Sequence, residues 1–157
     1  KAYDIAIDAM KLVKQSGCKA RWYVLGEGNE REKLEKKIKE LGLEEDFLLL
    51  GAVENPYPYY AQADLYVHAT RFEGKSIAIQ EAQVLGCPVI ASDCNGNREQ
   101  IESGVDGILC KLSPEDIAKC IEELIADPKK RQIYAKCARE RNKENKGEIN
   151  QLLTMMR

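Results

Sequence analysis

Apolar positions along the chain follow two alternating patterns. Short, continuously apolar runs are typical of strands covered on both faces of a sheet, and they lie at residues 21–25, 47–50, 65–69, 88–91 and 107–110. The intervening segments predict helices, several with apolar residues at the three-and-four spacing of an amphipathic helix, at residues 4–15, 30–41, 55–63, from 76, and 95–102. A regular alternation of strand and helix predicts an α/β fold with a parallel sheet.

After the strand at residues 107–110, the sequence predicts helices only. The run Ser113-Pro-Glu-Asp116 has serine at the cap, proline at the first helical position and acids in the first turn, which is typical of a helix start. Asp127-Pro128 restarts a second helix. Residues 142–157 are polar and then weakly amphipathic, so we expect a tail helix that frays. No linker interrupts the pattern, and residues 1–157 predict one globular domain.

The composition argues against several classes of function but indicates none. The chain has 157 residues, of which 44% are hydrophobic, and this suffices for one sizeable core. Its 24 basic and 26 acidic side chains give a net charge of −2, which argues against nucleic acid as a partner. The six cysteines form no C-x-x-C pair, so we expect them to pack as small hydrophobes in a reducing cytosol. No run reaches the roughly 18 apolar residues of a membrane span.

Candidate chemistry lies where the strand 65–69 meets the next helix. Glu73 precedes this helix and Glu81 lies within it, at the sheet edge where open α/β folds bind ligands. A helix that begins near Ser76 points free N–H groups and a positive dipole end at the same space, which favours phosphate. Gly74 permits close approach of a ligand, and Lys75 is either a ligand contact or a solvated loop cation. Carboxylates that accept bonds from hydroxyls at both ends of a diphosphate predict a nucleotide sugar.

The two glutamates, with seven residues between them, resemble the E-x7-E signature of family 4 retaining glycosyltransferases, also called group 1. Further landmarks of that family follow in order over residues 1–128: Val24-Leu-Gly-Glu-Gly28, Leu50-Gly-Ala-Val53, Asn55-Pro56, Ala63-Asp64-Leu65, Gly86, Pro88-Val-Ile90 and Asp106-Gly-Ile-Leu109. The resemblance implies a GT-B enzyme, which has two Rossmann-like domains. This chain resembles the carboxyl-terminal, donor-binding half, a three-layer α/β/α sandwich with a parallel sheet.

The resemblance also implies roles for individual residues. Glu73 is the implied catalytic residue, which orients and stabilises the reacting sugar, and Glu81 is implied to hold the ribose hydroxyls. Further donor-binding residues, mostly through their backbone groups, are implied to be Gly74, Lys75, Ser76, Ile77 and, near the base, Val53. Lys1, in the run Lys1-Ala2-Tyr3-Asp4, is the implied phosphate-binding lysine. The family's phosphate-binding arginine, expected some six residues earlier, has no counterpart in this chain.

The implied reaction moves a sugar to an acceptor with retention of anomeric configuration and requires no metal and no cofactor beyond its donor substrate. The implied partners are a UDP- or GDP-sugar, a sugar or glycolipid acceptor, and an amino-terminal domain of the same protein. A cytoplasmic location, peripheral to the membrane, and a role in polysaccharide or glycoconjugate synthesis are expected. In a sheet of strand order 3-2-1-4-5-6, the first and central strand has no counterpart in this chain, so two neighbouring strands should lack a partner.

Other interpretations remain open at this stage. A glycosidase also uses two carboxylates, although a helix start suited to phosphate disfavours it. A nucleotide-binding module without catalysis would carry the same motifs. His68 is either a structural histidine or a catalytic neighbour of Glu73. Three aromatic residues are either packing groups or neighbours of the base, namely Tyr57, Tyr59 and Tyr60.

Overall fold

The computed structural model describes residues 1–144 and Thr154. Its helices are α1 (Tyr3–Gln15), α2 (Arg31–Glu40), α3 (Tyr57–Gln62), α4 (Ile77–Val84), α5 (Asn95–Gln100), α6 (Pro114–Ala126) and α7 (Pro128–Glu144). Its strands are β1 (Trp22–Leu25), β2 (Phe47–Gly51), β3 (Tyr66–His68), β4 (Val89–Ser92) and β5 (Gly107–Cys110). Strands and helices alternate up to α6, as the apolar pattern predicts.

All observed strand pairs are parallel, but they form two separate sheets. β1 pairs with β2, whereas β4 lies between β3 and β5. Within the described part of the chain, β1 and β3 therefore each have a single strand neighbour. These are the two strands that should flank the central position in the expected order.

Helices cover both faces of the larger sheet. Successive side chains of a strand point to opposite faces, and those of β4 separate into two clusters. Ile90 packs with the cluster that includes α1 and α6, whereas Val89 and Ala91 pack with Ile79 and Ala82 of α4. This arrangement confirms the three-layer, Rossmann-like α/β/α fold.

A common core joins the two sheets. Val24 and Phe47 of the smaller sheet belong to the same buried cluster as Ile90 of the larger sheet and Ala69, which directly follows β3. The start of the chain is attached there as well, because the backbone N–H of Ala2 donates to the carbonyl of Ala69 at 3.0 Å. The residues that precede α1 therefore lie at the end of β3.

The carboxyl-terminal helices begin as the sequence predicts. The Ser113 hydroxyl accepts a hydrogen bond from the backbone N–H of Asp116 at 3.2 Å, and Pro114 occupies the first helical position. α7 continues to Glu144, with Tyr134, Ala138 and Asn142 buried at a four-residue spacing. The predicted tail helix over residues 142–157 thus begins inside α7. Residues 145–153 and 155–157 lie outside the described part.

Two further findings concern the expectations from composition. All six cysteines are free thiols, and Cys87 and Cys110 are buried in apolar clusters. Among the described residues, no helix combines the length and apolar character needed to cross a bilayer.

Candidate functional site

The candidate site lies beyond the carboxyl ends of β3 and β4. β3 ends at His68 and α4 begins at Ile77, so Glu73 lies on the connecting loop and Glu81 lies within α4. Ser76 is the N-cap of α4, and its hydroxyl accepts a long hydrogen bond from the N–H of Ile79 at 3.4 Å. The loop-to-helix junction predicted from the sequence is therefore present.

Glu73 is held by two nitrogen groups. Its Oε2 atom lies 2.7 Å from His68 Nε2 and forms an ion pair with Lys1 Nζ. The carboxylate side chain is 21% exposed, so it is held from one side and open to the cleft on the other. Burial alone would raise the pKa of Glu73, but the hydrogen bonds from Lys1 and His68 outweigh it, and the pKa lies below its ordinary value. Glu73 is therefore ionised at neutral pH.

Glu81 has a different environment. It is half-buried in α4, and the hydroxyls of Tyr57 and Tyr60 in α3 are the polar groups that act on its carboxylate. Burial raises the pKa of Glu81 above its ordinary value, and the two tyrosines oppose this rise without cancelling it. The charged form of Glu81 therefore gains stability when a ligand supplies additional donors.

The loop that carries Glu73 rests on the start of α5. A Cβ atom at Gly96 would lie 2.6 Å from the carbonyl carbon of Gly74 and closer still to the carbonyl oxygens of Glu73 and Gly74. Only glycine permits this approach, because real Cβ atoms do not pack closer than 3.0 Å. The Ser92 hydroxyl at the end of β4 also donates to the carbonyl of Thr70 at 2.7 Å. These two contacts indicate that the β4–α5 connection determines the position of the β3–α4 loop.

The first turn of α4 is anchored by Gln100 at the end of α5. The Gln100 side chain accepts from the Ser76 N–H at 2.6 Å and donates to the Ser76 carbonyl at 2.8 Å. The Gln100 carbonyl in turn accepts from the side chains of Gln83 in α4, at 2.9 Å, and Arg141 in α7, at 3.1 Å. Ser76 is only 5% exposed, so the structure gives it an anchoring role.

The remaining candidate residues are distributed around this junction. Gly74, Lys75 and Ile77 are exposed beside the helix start. Lys1 lies against Glu73, as described above, and Val53 is half-buried in the loop between β2 and α3. The structure therefore brings Lys1 against Glu73 beside the helix start, while Val53 lies on the loop that follows the smaller sheet.

An open cleft lies beside the contact between the β3–α4 loop and the start of α5. Its lining residues come from the β3–α4 loop and from the start of α5: Arg71, Phe72, Glu73, Gly74, Asp93, Cys94, Asn95 and Arg98. Both arginines of this lining are paired with carboxylates, Arg71 with Asp4 at 2.7 Å and Arg98 with Asp93 at 2.6 Å. In residues 1–144 and Thr154, no three side chains of His, Cys, Asp or Glu are grouped to hold a metal ion.

Comparison with known proteins identifies the family. Residues 1–141 match the profile described as "Glycosyl transferases group 1". The chain belongs to this group 1 glycosyltransferase family. Glu73, Glu81 and the loops that hold them all lie within the matched residues.

Three individual proteins show the extent of the similarity. The N-acetylgalactosamine-N,N'-diacetylbacillosaminyl-diphospho-undecaprenol 4-alpha-N-acetylgalactosaminyltransferase of Campylobacter jejuni is 35% identical over 122 residues, which are 76% of this chain and 33% of that protein. The crystal structure of a variant of S. aureus TarM in complex with fondaparinux, alpha-GlcNAc-glycerol and UDP matches 99% of this chain and 33% of that chain, with a TM-score of 0.89 and 25% identity.

The third match concerns a single domain. The C-terminal domain of a group 1 glycosyl transferase protein, LpcC, from Francisella tularensis matches with a TM-score of 0.81 and 26% identity, over 92% of this chain and 78% of that domain. The chain thus spans about a third of the Campylobacter and S. aureus proteins but most of the isolated domain.

Several residues of the candidate site could not be predicted from the sequence. Gln83 and Gln100 bond to each other and to α7, but buried amides leave no periodic signal in a sequence. The sequence leaves the tyrosines near Pro56 either as packing groups or as neighbours of the base; Tyr60 packs against the cluster of Ile79, and both Tyr57 and Tyr60 oppose the rise in the pKa of Glu81. The alternation along β3 could have indicated that Tyr66 and His68 share one face.

Proposed function

We propose that this chain is the donor-binding domain of a retaining, metal-independent glycosyltransferase. The enzyme moves a sugar from a nucleoside-diphosphate sugar to an acceptor during synthesis of a polysaccharide or glycoconjugate. Glu73 orients and stabilises the reacting sugar, and Glu81 holds the ribose hydroxyls. The backbone of Gly74, Lys75 and Ile77 lines the diphosphate, with Ser76 anchoring the helix start beneath it, and Val53 contacts the base.

The observation that carries this proposal is the position of the two glutamates on either side of one helix start. An anion at the first turn of α4 is favoured by the helix dipole and by free N–H groups. Glu73 on the loop and Glu81 within the helix then face the two ends of a ligand whose diphosphate occupies that position. Hydroxyl groups suit both carboxylates, because each ionised carboxylate is an acceptor only.

The charges around Glu73 support a role in orientation. Its lowered pKa keeps it ionised, whereas a general acid would need a raised pKa. A fixed negative charge beside the reacting carbon stabilises the positive charge that develops there as the bond to the leaving group breaks. Lys1 is the amine nearest to this carboxylate, and we propose that it also contacts the diphosphate.

The chain acts together with further parts of the protein in this proposal. A parallel strand between β1 and β3 would pair the free edges of both. An amino-terminal domain supplies the acceptor side of the cleft, and Phe72, which is 90% exposed beside Glu73, faces it. We place the working enzyme in the cytoplasm, at the membrane surface, where a glycolipid acceptor is accessible.

Calorimetric titration with a panel of UDP-sugars and GDP-sugars tests the proposal. We expect one donor to bind, and Glu81→Ala to weaken it by at least 10-fold, because a hydrogen bond to a charged group is worth about 1.5–3 kcal/mol. Glu40→Ala is the matched control, since Glu40 is an exposed glutamate at the end of α2. A folded chain that binds none of these donors refutes the proposal.

A further inference from the structure

His68 is the one histidine of the chain, and it is buried directly behind Glu73. Its side chain is 1% exposed, so it cannot touch a donor or an acceptor in the cleft. Nevertheless it has three polar neighbours. Nε2 lies 2.7 Å from Glu73 Oε2 and 2.9 Å from Lys1 Nζ, and Nδ1 lies 2.9 Å from the Tyr66 hydroxyl.

These neighbours determine which ring nitrogen carries the proton. Burial lowers the pKa of His68 below its ordinary value, and the charge of Lys1 lowers it further. The hydrogen bond to Glu73 raises the pKa but does not cancel these effects, so the imidazole is neutral at pH 7. A neutral imidazole has one donor and one acceptor nitrogen. The Glu73 carboxylate can only accept, and Lys1 can donate to Glu73 directly, which assigns the proton to Nε2. Nδ1 is then the acceptor for the Tyr66 hydroxyl.

Tyr66 holds the imidazole in place. The two residues are separated by one position in β3 and therefore lie on the same face of the sheet. Their rings are 5.8 Å apart, and the Tyr60 ring packs edge-on against Tyr66 at 5.3 Å. Tyr66 is itself partly buried against the cluster of Ile79, so the ring of His68 has a fixed neighbour.

On the basis of the proposed function of Glu73, we propose that His68 is a positioning residue for sugar transfer: its Nε2–H holds the Glu73 carboxylate against the donor sugar, and the Tyr66 hydroxyl fixes the tautomer that allows this. The other partner of Glu73, Lys1, is 39% exposed and sits on a flexible stem. His68 is thus the rigid one of the two contacts. A catalytic group must be held within about 0.5 Å of its productive position by such supporting bonds.

Two variants at position 68 separate positioning from folding. His68→Leu removes both polar contacts at similar volume, whereas His68→Gln retains a side-chain donor toward Glu73. In the full-length protein, we expect the leucine variant to release the nucleoside diphosphate from the nucleotide sugar identified by the titration about 10²-fold more slowly. Its affinity for the nucleoside diphosphate alone should change less than about 3-fold, because this product has no donated sugar for Glu73 to hold. The glutamine variant should recover most of the rate.

Spectroscopy of the single imidazole tests the geometry without any substrate. In the chain labelled with ¹⁵N-histidine, long-range ¹H–¹⁵N spectra should show the Nε2–H form and a pKa below the ordinary 6.5. Glu73→Gln should lower this pKa further, since the bond to Glu73 raises it. Tyr66→Phe should introduce the other tautomer, because Nδ1 loses its donor.

Each outcome decides the proposal. An Nδ1–H tautomer in the unmodified chain, or a spectrum that Glu73→Gln leaves unchanged, would overturn it. Unchanged turnover in His68→Leu would overturn it as well, and so would an equal loss of rate in both variants at position 68. If the unmodified protein binds no nucleotide sugar, the proposed function fails, while the spectra still decide whether His68 orients Glu73.

Discussion

Replacing Gly96 by alanine should displace the loop that carries Glu73. The added methyl group would lie 2.6 Å from the carbonyl carbon of Gly74, whereas ordinary van der Waals contact begins at 3.4 Å. The carbonyl oxygens of Glu73 and Gly74 are closer still, so one of the two loops must move by about 1 Å. No flexible side chain is present to absorb the clash, because all three nearest atoms belong to the backbone.

The size of the effect follows from this displacement. A 1 Å misplacement of a positioned group costs about 10²-fold in rate. Stability should change less, because overpacking costs about 1–3 kcal/mol while alanine gains up to about 1 kcal/mol over glycine in a helix. A net loss of about 1 kcal/mol corresponds to a decrease in Tm of about 2–4 °C.

The relevant assay, under the proposed function, is release of the nucleoside diphosphate from whichever nucleotide sugar the titration identifies, measured well below Tm. Gly28→Ala provides the control for stability, since a Cβ atom at Gly28 meets no atom within 4 Å and Gly28 does not have a positive φ. We expect Gly28→Ala to melt like the unmodified protein. If Gly96→Ala retains its rate within about twofold, Gly96 does not determine the loop position and the reasoning is wrong.

Three further predictions concern charge and the sheet. Burial raises the pKa of Glu81 in the folded chain, so the contribution of Glu81 to stability is fully present at low pH and is lost as pH rises through the folded pKa. Glu81→Gln, which stays neutral, should therefore raise Tm at pH 8, and the difference in Tm between the two proteins should disappear toward pH 4. Equal Tm values for the two proteins at every pH would contradict this. Arg141→Ala leaves the buried Asp106 without its ion pair at 2.9 Å and should cost about 1–3 kcal/mol in urea denaturation, part of which Asp106→Asn should restore in that background. If a further parallel strand pairs with β1 and β3, as proposed above, a chain that includes this strand should unfold with a larger urea m-value, because a central strand buries more surface; an unchanged m-value would argue against the added strand.

The order of the elements follows from local signals. Continuous apolar runs such as residues 65–69 predict covered strands, and Ser113-Pro114 predicts the start of α6 because both the cap and the first helical position act locally. The length of α7 does not follow in the same way. Asn142 is polar and resembles a tail residue, yet it is buried because its side chain donates to Gln83 at 3.1 Å, a partner 59 positions away.

The candidate site likewise combines features that follow from local sequence signals with features that depend on distant partners. The positions of Glu73 and Glu81 on either side of a helix start follow from the sequence, because the cap at Ser76 is a local signal. Their opposite pKa shifts do not follow, since one depends on Lys1 and His68 and the other on burial beside α3. Such environments are created when distant segments meet, and identical side chains then acquire different properties.

Gln100 connects the candidate site to α7. Its side chain bonds to the backbone of Ser76, and its carbonyl accepts from side chains of α4 and α7. Gln100, itself in α5, thus joins α5 to both of these helices. Any ligand that orders the first turn of α4 must therefore also restrict α7, and the coupling is reciprocal. We expect donor binding to slow amide hydrogen exchange in α7, which makes this helix a remote reporter of site occupancy.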